Sequence, residues 1–210
     1  FGQSFGAGQT FYVQFRQRFS PEMLSLGSAF GGGGWKQVIF HTFVATCAAI
    51  EITTNNGYYR NFPQMYTDCG SGLFEYSNGS TYVLEYSNPY PSGSNGTIYC
   101  LHSMIDNPAN KCALYQSNQW MTFYYQITIG AWGQPNSTIK AWVGNEGQPL
   151  QQFINKTNHQ LNQDSPGLGF DYLTLLPYDT GKDGRAHATA YTWYDELIIS
   201  TKPIEPPDGS

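Results

Sequence analysis

Residues 11–19 alternate between two kinds of side chain along their whole length, and this two-residue period limits what the chain can fold into. One side of the segment carries Phe11, Val13, Phe15, Gln17 and Phe19, and the other carries Tyr12, Gln14, Arg16 and Arg18. A period of two with aromatic and β-branched residues is typical of a strand that packs on one face and meets water on the other. A helix would need apolar residues three or four positions apart. The segment is therefore predicted to be a half-buried β-strand.

Residues 120–129 repeat this pattern in the second half of the chain. Their apolar series is Met121, Phe123, Tyr125, Ile127 and Ile129, and their polar series is Thr122, Tyr124, Gln126 and Thr128. Further strands, each bounded by turn-forming residues, are predicted at 35–41, 48–53, 138–144, 170–177 and 189–201. Asn55-Asn56-Gly57 is a hairpin signal, and Pro21–Ser25 is long enough for one helical turn.

The composition agrees with an all-β fold. Charged residues make up 12% of the chain, against about 25% in an average soluble protein. We expect a two-sheet antiparallel β-sandwich as a single domain over residues 1–201. Residues 202–210 are rich in proline and are predicted to be a linker, so the domain is expected to belong to a larger extracellular protein. In strand 35–41, Gln37 and His41 are expected to point outward.

Net charge argues against nucleic acid as the partner. The chain carries −5 at pH 7 with a pI near 5.2, and its ten Lys and Arg residues are spread along the sequence. Phosphate binding requires such residues in clusters. No apolar run approaches the roughly 20 residues of a membrane span. A polysaccharide is the expected partner, recognised on a polar, aromatic sheet face.

Cysteines and sequons predict an exported glycoprotein. The four cysteines, Cys47, Cys69, Cys100 and Cys112, lack metal-binding spacing and favour two disulfides, with 47–69 and 100–112 closing the shortest loops. Disulfides imply an oxidising compartment. Four Asn-X-Ser/Thr sequons begin at Asn78, Asn95, Asn136 and Asn155. The predicted location is therefore secreted or cell-surface.

The order of the last strands resembles the concanavalin A-like lectin/glucanase superfamily. The resemblance rests on 120–130, 137–144, 170–177 and 194–200. It implies a jelly roll, and the superfamily includes lectins, laminin-G-like modules, glycoside hydrolases and polysaccharide lyases. The Glu-x-Asp-x-x-Glu strand of the glucanase branch is absent, and Asp195 and Glu196 are adjacent, so they are expected to point to opposite faces. A two-carboxylate glycosidase is therefore not expected.

The alginate-lyase branch of the superfamily shares an Arg, a Gln-x-His and a Tyr on three strands. Here the same residue types occur as Arg16, Gln37, His41 and Tyr124, although three residues separate Gln37 from His41. A lyase acting on uronate polymers would use Arg16 or Arg18 and Gln37 to neutralise the sugar carboxylate. His41 would remove the C5 proton, because an unperturbed imidazole has a pKa of about 6.5, and Tyr124 would serve as acid or base.

Three functions are compatible with these residues. The first is a carbohydrate-binding domain whose sheet face, besides Arg16 and Tyr124, presents Tyr12, Gln14, Arg18, Glu51 and Gln126 to the sugar. Loop aromatics extend the candidate set with Tyr58, Tyr59, Tyr66, Tyr90 and Trp132. The second is the polysaccharide lyase described above. The third is a structural subunit of a glycosylated surface or fibre assembly.

Cofactor signals are weak. Asp179–Gly184 has Asp at positions one and five and Gly at six, but it lacks the third-position ligand and the final Glu of a helical calcium loop. A glycine-rich turn is the favoured interpretation, while the superfamily resemblance keeps calcium open. No cofactor and no metal ligand are therefore assigned.

Overall fold

The computed structural model of the protein describes residues 1–25, 35–43, 49–54, 63–67, 74–75, 81–82, 114–175 and 188–205. Its elements are β1 (Thr10–Phe19), α1 (Pro21–Ser25), β2 (Trp35–His41), β3 (Ala49–Thr54), β4 (Gln64–Thr67), β5 (Phe74–Glu75), β6 (Thr81–Tyr82), β7 (Trp120–Thr128), β8 (Pro135–Asn145), β9 (Gln151–Gln160), β10 (Tyr172–Leu175) and β11 (Thr192–Ser200). The predicted strands and the single helical turn are confirmed. β4 and β9 were not predicted.

The strands form two antiparallel sheets and a small hairpin. The five-stranded sheet has the order β11-β1-β7-β8-β9, the four-stranded sheet has the order β10-β2-β3-β4, and β5 pairs with β6. β1 and β7, the two strands with the clearest alternation, are neighbours from the pair Thr10 and Thr128 to the pair Arg18 and Trp120. The predicted two-sheet sandwich is thus confirmed.

Aromatic side chains fill the space between the sheets. Phe15 stacks on Phe123 with ring centroids 5.5 Å apart, while Phe40 of the four-stranded sheet lies 5.1 Å from Tyr125 of the five-stranded one. All four side chains are fully buried. Burial of large apolar rings is the main favourable term in the folding of such a layer.

A chain of side-chain hydrogen bonds also crosses the interior. The Tyr115 hydroxyl donates to Gln37 Oε1 at 2.7 Å, and Gln37 Nε2 donates to Gln17 Oε1 at 2.9 Å. Gln17 Nε2 in turn donates to Thr192 Oγ1 and to the Tyr194 hydroxyl, both at 2.9 Å. These bonds satisfy buried amides that would otherwise be costly, and they connect β2 to β1 and β11.

Within the described ranges, no helix is long and apolar enough to cross a membrane.

Candidate functional site

The outer face of the five-stranded sheet carries a row of three aromatic rings. Tyr12 of β1 stacks on Tyr124 of β7 with centroids 6.2 Å apart and planes 15° apart. Tyr124 lies 5.3 Å from Trp142 of β8. All three side chains are half-buried, so each keeps part of its ring in contact with solvent. We call Tyr12, Tyr124 and Trp142 the aromatic row.

Alternation explains why these three rings lie together. On β1, β7 and β8 the intervening residues, such as Phe11, Tyr125 and Ala141, are buried in the interior. Successive side chains of a strand point to opposite faces, so their neighbours must point outward. The predicted polar, aromatic outer face is therefore present, with Arg16 and Tyr124 both on it. Sequence analysis did not assign Trp142 to this face, although it follows Lys140 by two residues.

A second aromatic group lies at the start of β11, beside β1. Tyr191 and Trp193 stack with ring centroids 5.9 Å apart and are 55% and 43% exposed. Arg18 is paired with Trp193 across the strands, and its guanidinium carbon lies 5.4 Å from the centre of the Trp193 ring. A cation at this distance is attracted by the electron density of the indole face. We call Arg18, Tyr191 and Trp193 the β11 group.

Arg16, two residues from Arg18 on the same face, is held by carboxylates. One terminal nitrogen bonds to Glu146, and the other lies 3.6 Å from Glu196. The guanidinium also sits 5.4 Å from the centre of the Trp120 ring. Arg16 therefore has its charge neutralised within the protein.

A β-bulge brings Glu196 to Arg16. Between the pairs Gln14 with Ile198 and Arg16 with Asp195, β11 contains one residue more than β1. Glu196 has a φ of 51°, a left-handed conformation typical of bulges. The expectation that Asp195 and Glu196 point to opposite faces is wrong here, because Asp195 pairs with Arg16 and the Glu196 carboxylate reaches the same side chain.

Gln14 and Gln126 differ in their exposure to solvent. Gln14 lies on the outward series but is only 2% exposed, and its Oε1 has no hydrogen-bond partner among the described residues. Its neighbours across the strands are Tyr124 and Ile198, two large side chains. Burial removes Gln14 from direct contact with a ligand. Gln126 is half-buried on the same face, as expected.

Gln37 is not on an outer face, and the expectation that it points outward is wrong. It is fully buried and bonded to Gln17 and Tyr115. The cause is a bulge: Lys36 pairs with Thr53 and Val38 with Ile52, so Gln37 is an extra residue in β2. Such a residue leaves the simple alternation, and here its amide turns into the interior.

His41 lies on the other outer face of the sandwich. Phe40 meets Tyr125 between the sheets, so His41 and Tyr124, the next and preceding residues of their strands, point away from each other. The structure therefore does not bring Arg16, Gln37, His41 and Tyr124 together. Gln37 lies in the interior. Arg16 and Tyr124 lie on one outer face, and His41 lies on the opposite one.

His41 has a defined environment on its own face. Its Nδ1 lies 2.7 Å from the Thr42 carbonyl oxygen and its Nε2 lies 2.8 Å from Thr174 Oγ1. A carbonyl accepts only, so Nδ1 carries a proton. The ring stacks on Tyr172 with centroids 5.6 Å apart, and Phe43, which is 74% exposed, lies 5.6 Å from the other side of Tyr172.

The C-terminal end of the described chain reaches the aromatic row. After β11 ends at Ser200 opposite Tyr12, the chain turns, with the Lys202 amide donating to Ser200 Oγ at 2.9 Å. The Ile204 backbone then lies beside the Tyr124 hydroxyl, where it acts to lower the pKa of that group. Burial outweighs this effect and raises the pKa of Tyr124 above its usual value.

Several sequence predictions fall outside the described residues. These are the four cysteines, Asn78, Asn95, Tyr58, Tyr59, Tyr90, the hairpin signal at 55–57 and the loop at 179–184, together with the side chains of Glu51 and Tyr66. Asn136 and Asn155 are described and exposed, as glycan acceptors must be. Trp132 is half-buried, 6.0 Å from Phe170.

Three solved structures share this architecture. The marine PL-14 alginate lyase from Aplysia kurodai has a TM-score of 0.57 at 13% identity, covering 94% of this chain and 72% of its own. Endo-β-1,4-glucuronan lyase from the fungus Trichoderma reesei has a TM-score of 0.52 at 14% identity, covering 94% and 71%. Alginate lyase Aly36B has a TM-score of 0.54 at 10% identity, covering 93% and 71%.

At such identities the likeness establishes the fold alone, a jelly-roll β-sandwich. No protein-family model matches the sequence, and no curated protein matches it.

Proposed function

We propose that this protein is an exported carbohydrate-binding domain that recognises a polysaccharide on the outer face of its five-stranded sheet. The observation that carries the proposal is the aromatic row, three half-exposed rings on three adjacent strands. Flat aromatic faces stack on the apolar faces of sugar rings, and neighbouring hydroxyls and amides bond the sugar edges. Because rings fixed by strands lose little freedom on binding, such a row suits a long polymer.

The surroundings of the row support the same proposal. Gln126 and Lys140 are half-buried neighbours on β7 and β8, and they offer hydrogen-bond donors along the row. The solved structures with the same fold include enzymes named for alginate and glucuronan, which are polysaccharides. A saccharide ligand is therefore the class that the fold and the face favour together.

The test is retention on immobilised or gel-embedded polysaccharides. We expect the protein to be retarded by at least one polymer, and we expect Tyr124→Ala with Trp142→Ala to abolish the retardation. Tyr172→Ala is the matched control, because it removes a half-exposed ring from the opposite face. Equal retardation of the double variant and the natural chain would contradict the proposed face.

A second candidate, a polysaccharide lyase, is favoured by the contact between His41 and Tyr172. These are two proton-carrying side chains with rings 5.6 Å apart, and Tyr172 is 43% exposed. A pair of this kind can remove and return a proton at a bound uronate. The likeness to solved lyases gives this candidate further support.

The lyase candidate has a separate readout. Cleavage of alginate, polyglucuronate or pectin by elimination would create an unsaturated uronate, which is followed by its ultraviolet absorbance. We expect His41→Ala and Tyr172→Phe to stop any such reaction, while Trp142→Ala leaves it unchanged if the two faces act independently. Absorbance that stays constant with all three polymers would rule out this candidate for those substrates.

A further inference from the structure

We propose that Arg18 is a specificity-determining residue that selects a negatively charged group, carboxylate or sulfate, on the bound saccharide. This inference rests on the proposed binding function and adds the charge of the ligand to it. It starts from two arginines on the same face of β1. Among the described residues Arg16 has ion-pair partners and Arg18 has none.

The first part of the contrast is pairing. Arg16 is bonded to Glu146 and lies near Glu196, so an incoming anion would have to displace carboxylates already in place. Arg18 has no ion pair and its guanidinium has no hydrogen bond to any residue in the described ranges. An arginine offers five N–H donors, and the four on the terminal nitrogens of Arg18 remain available for a ligand.

The second part is orientation. Arg18 Nε is buried without a partner, whereas its two terminal nitrogens are not among the buried atoms. Trp193 holds the guanidinium at 5.4 Å from the centre of its ring. A planar group fixed at its base and open at its end matches the two oxygens of a carboxylate or sulfate. Since the side chain is already held, little freedom is lost when the anion binds.

The third part is the surface beside the charge. Tyr191 and Trp193 are stacked, and both are about half exposed. A sugar ring resting on either of these rings would place a substituent close to Arg18. The β11 group therefore combines a stacking surface with a single cation, which is the chemistry that an acidic sugar requires and a neutral one does not.

Because the chain is negatively charged overall, the preference for an anionic group is expected only close to Arg18. The chain carries −5, and Glu146 and Glu196 lie around Arg16 on the same face. A polymer with dense negative charge is therefore repelled except where a cation is free. We expect Arg18 to recognise a charged group on each bound segment.

The test compares matched oligosaccharides by calorimetry with the whole chain. Cello-oligosaccharides, β-1,4-glucuronan oligomers of the same length and sulfated cello-oligosaccharides share one backbone and differ in the charged group. We expect the natural chain to bind at least one charged series about tenfold more tightly than the neutral series, with a preference that weakens as salt is added. The series that binds more tightly identifies carboxylate or sulfate as the source.

Variants of Arg18 test its contribution to the preference separately from the rest of the face. Arg18→Gln should lose the preference for charged oligomers while keeping the affinity for neutral ones, and Arg18→Lys should retain part of the preference because it keeps the charge without the planar fork. Lys156→Gln, which removes one positive charge from β9 at the opposite edge of the sheet from β11 and outside the aromatic row, should keep the preference. Thermal unfolding of each variant confirms that it is folded.

Two results would overturn the inference in different ways. If the natural chain binds neutral and charged oligomers equally, or if Arg18→Gln keeps the preference, binding stands and the role of Arg18 falls. If the natural chain binds none of the oligomers and is not retarded by any polymer, the proposed function falls and this inference falls with it.

Discussion

The two sides of the five-stranded sheet are built from the same strands, offset by one residue, and they treat polar groups in opposite ways. On the inner side the amide of Gln17 is bonded to Gln37 of the facing sheet, within a chain of hydrogen bonds that ends at Tyr115 and Tyr194. On the outer side the Arg18 guanidinium has no hydrogen-bond or ion-pair partner in the described ranges, and the aromatic row keeps part of each ring in solvent.

This comparison suggests that the inner side stabilises the fold and the outer side binds a ligand. Satisfied polar groups fix the position of one sheet on the other, while unsatisfied groups and open rings are available to a ligand. Inner-side substitutions should therefore change the free energy of unfolding, and outer-side substitutions should change binding. The following predictions test that division, beginning with the largest expected effect.

Phe40→Ala should destabilise the fold most. The ring is fully buried, 6.2 Å from Phe11 and 5.1 Å from Tyr125, so its loss leaves a cavity between the sheets. We expect a loss of about 3–5 kcal/mol in the free energy of unfolding, measured by chemical denaturation. Phe43→Ala, at a ring that is 74% exposed, is the control and should change stability by less than about 0.5 kcal/mol.

His159 should make stability fall in mild acid. Burial, with a smaller contribution from Lys156, lowers its pKa to about 4, whereas an unfolded histidine titrates near 6.5. The unfolded chain therefore binds the proton first as the pH falls. The free energy of unfolding is therefore highest above about pH 6.5, and it falls by about 3 kcal/mol in total as the pH decreases toward 4.

The measurement is the free energy of unfolding as a function of pH. In His159→Gln the part of the slope between pH 6.5 and 4 that belongs to this residue should disappear, because the titrating group is gone. An unchanged slope, or an NMR titration of His159 near its ordinary value, would contradict the prediction.

Two buried tyrosines should respond in opposite directions to loss of the hydroxyl. Tyr115→Phe leaves Gln37 Oε1 without its donor and should cost about 1–2 kcal/mol. Tyr125→Phe removes a buried hydroxyl that has no partner among the described residues, so it should be neutral or stabilising. Thermal or chemical unfolding of the pair gives the sign directly, and equal effects would contradict the role assigned to the interior hydrogen bonds.

The ion pairs of Arg16 should contribute least to stability. Glu146 and Glu196 are 64% and 47% exposed in their side chains, and exposed pairs are screened by water. Glu146→Gln with Glu196→Gln should change the free energy of unfolding by less than about 1 kcal/mol. The same change frees Arg16 and should tighten binding of charged oligosaccharides a few-fold. Weaker binding would show that the carboxylates themselves contact the ligand.

Alternation predicted the sheet faces well where the strands are regular. Along β1 and β7 every residue of the predicted apolar series is buried, including Gln17 and Tyr125. It failed at bulges, because one inserted residue turns Gln37 inward and brings Glu196 to Arg16. β9 escaped prediction because its ten residues, QQFINKTNHQ, place their buried Phe153 and Ile154 side by side instead of in alternation.

The candidate site was only partly accessible from sequence, because a local pattern does not reveal which sheet a strand joins. The pattern of 35–41 resembles that of 11–19, yet β2 belongs to the opposite sheet, and this puts His41 far from Tyr124. Burial of Gln14 under its cross-strand neighbours likewise depends on partners distant in the chain. Trp142, by contrast, lies on a predicted strand two positions from Lys140 and was within reach of the same reasoning.

The path of residues 201–204 has a practical consequence for experiments. Because the Ile204 backbone lies beside the Tyr124 hydroxyl, anything fused directly after Glu205 would begin beside the aromatic row and not at a distant corner of the sandwich. A purification tag or reporter placed there would shield the rings or add its own charge to them. Affinity measurements are therefore best made with the fusion partner at the other terminus or removed.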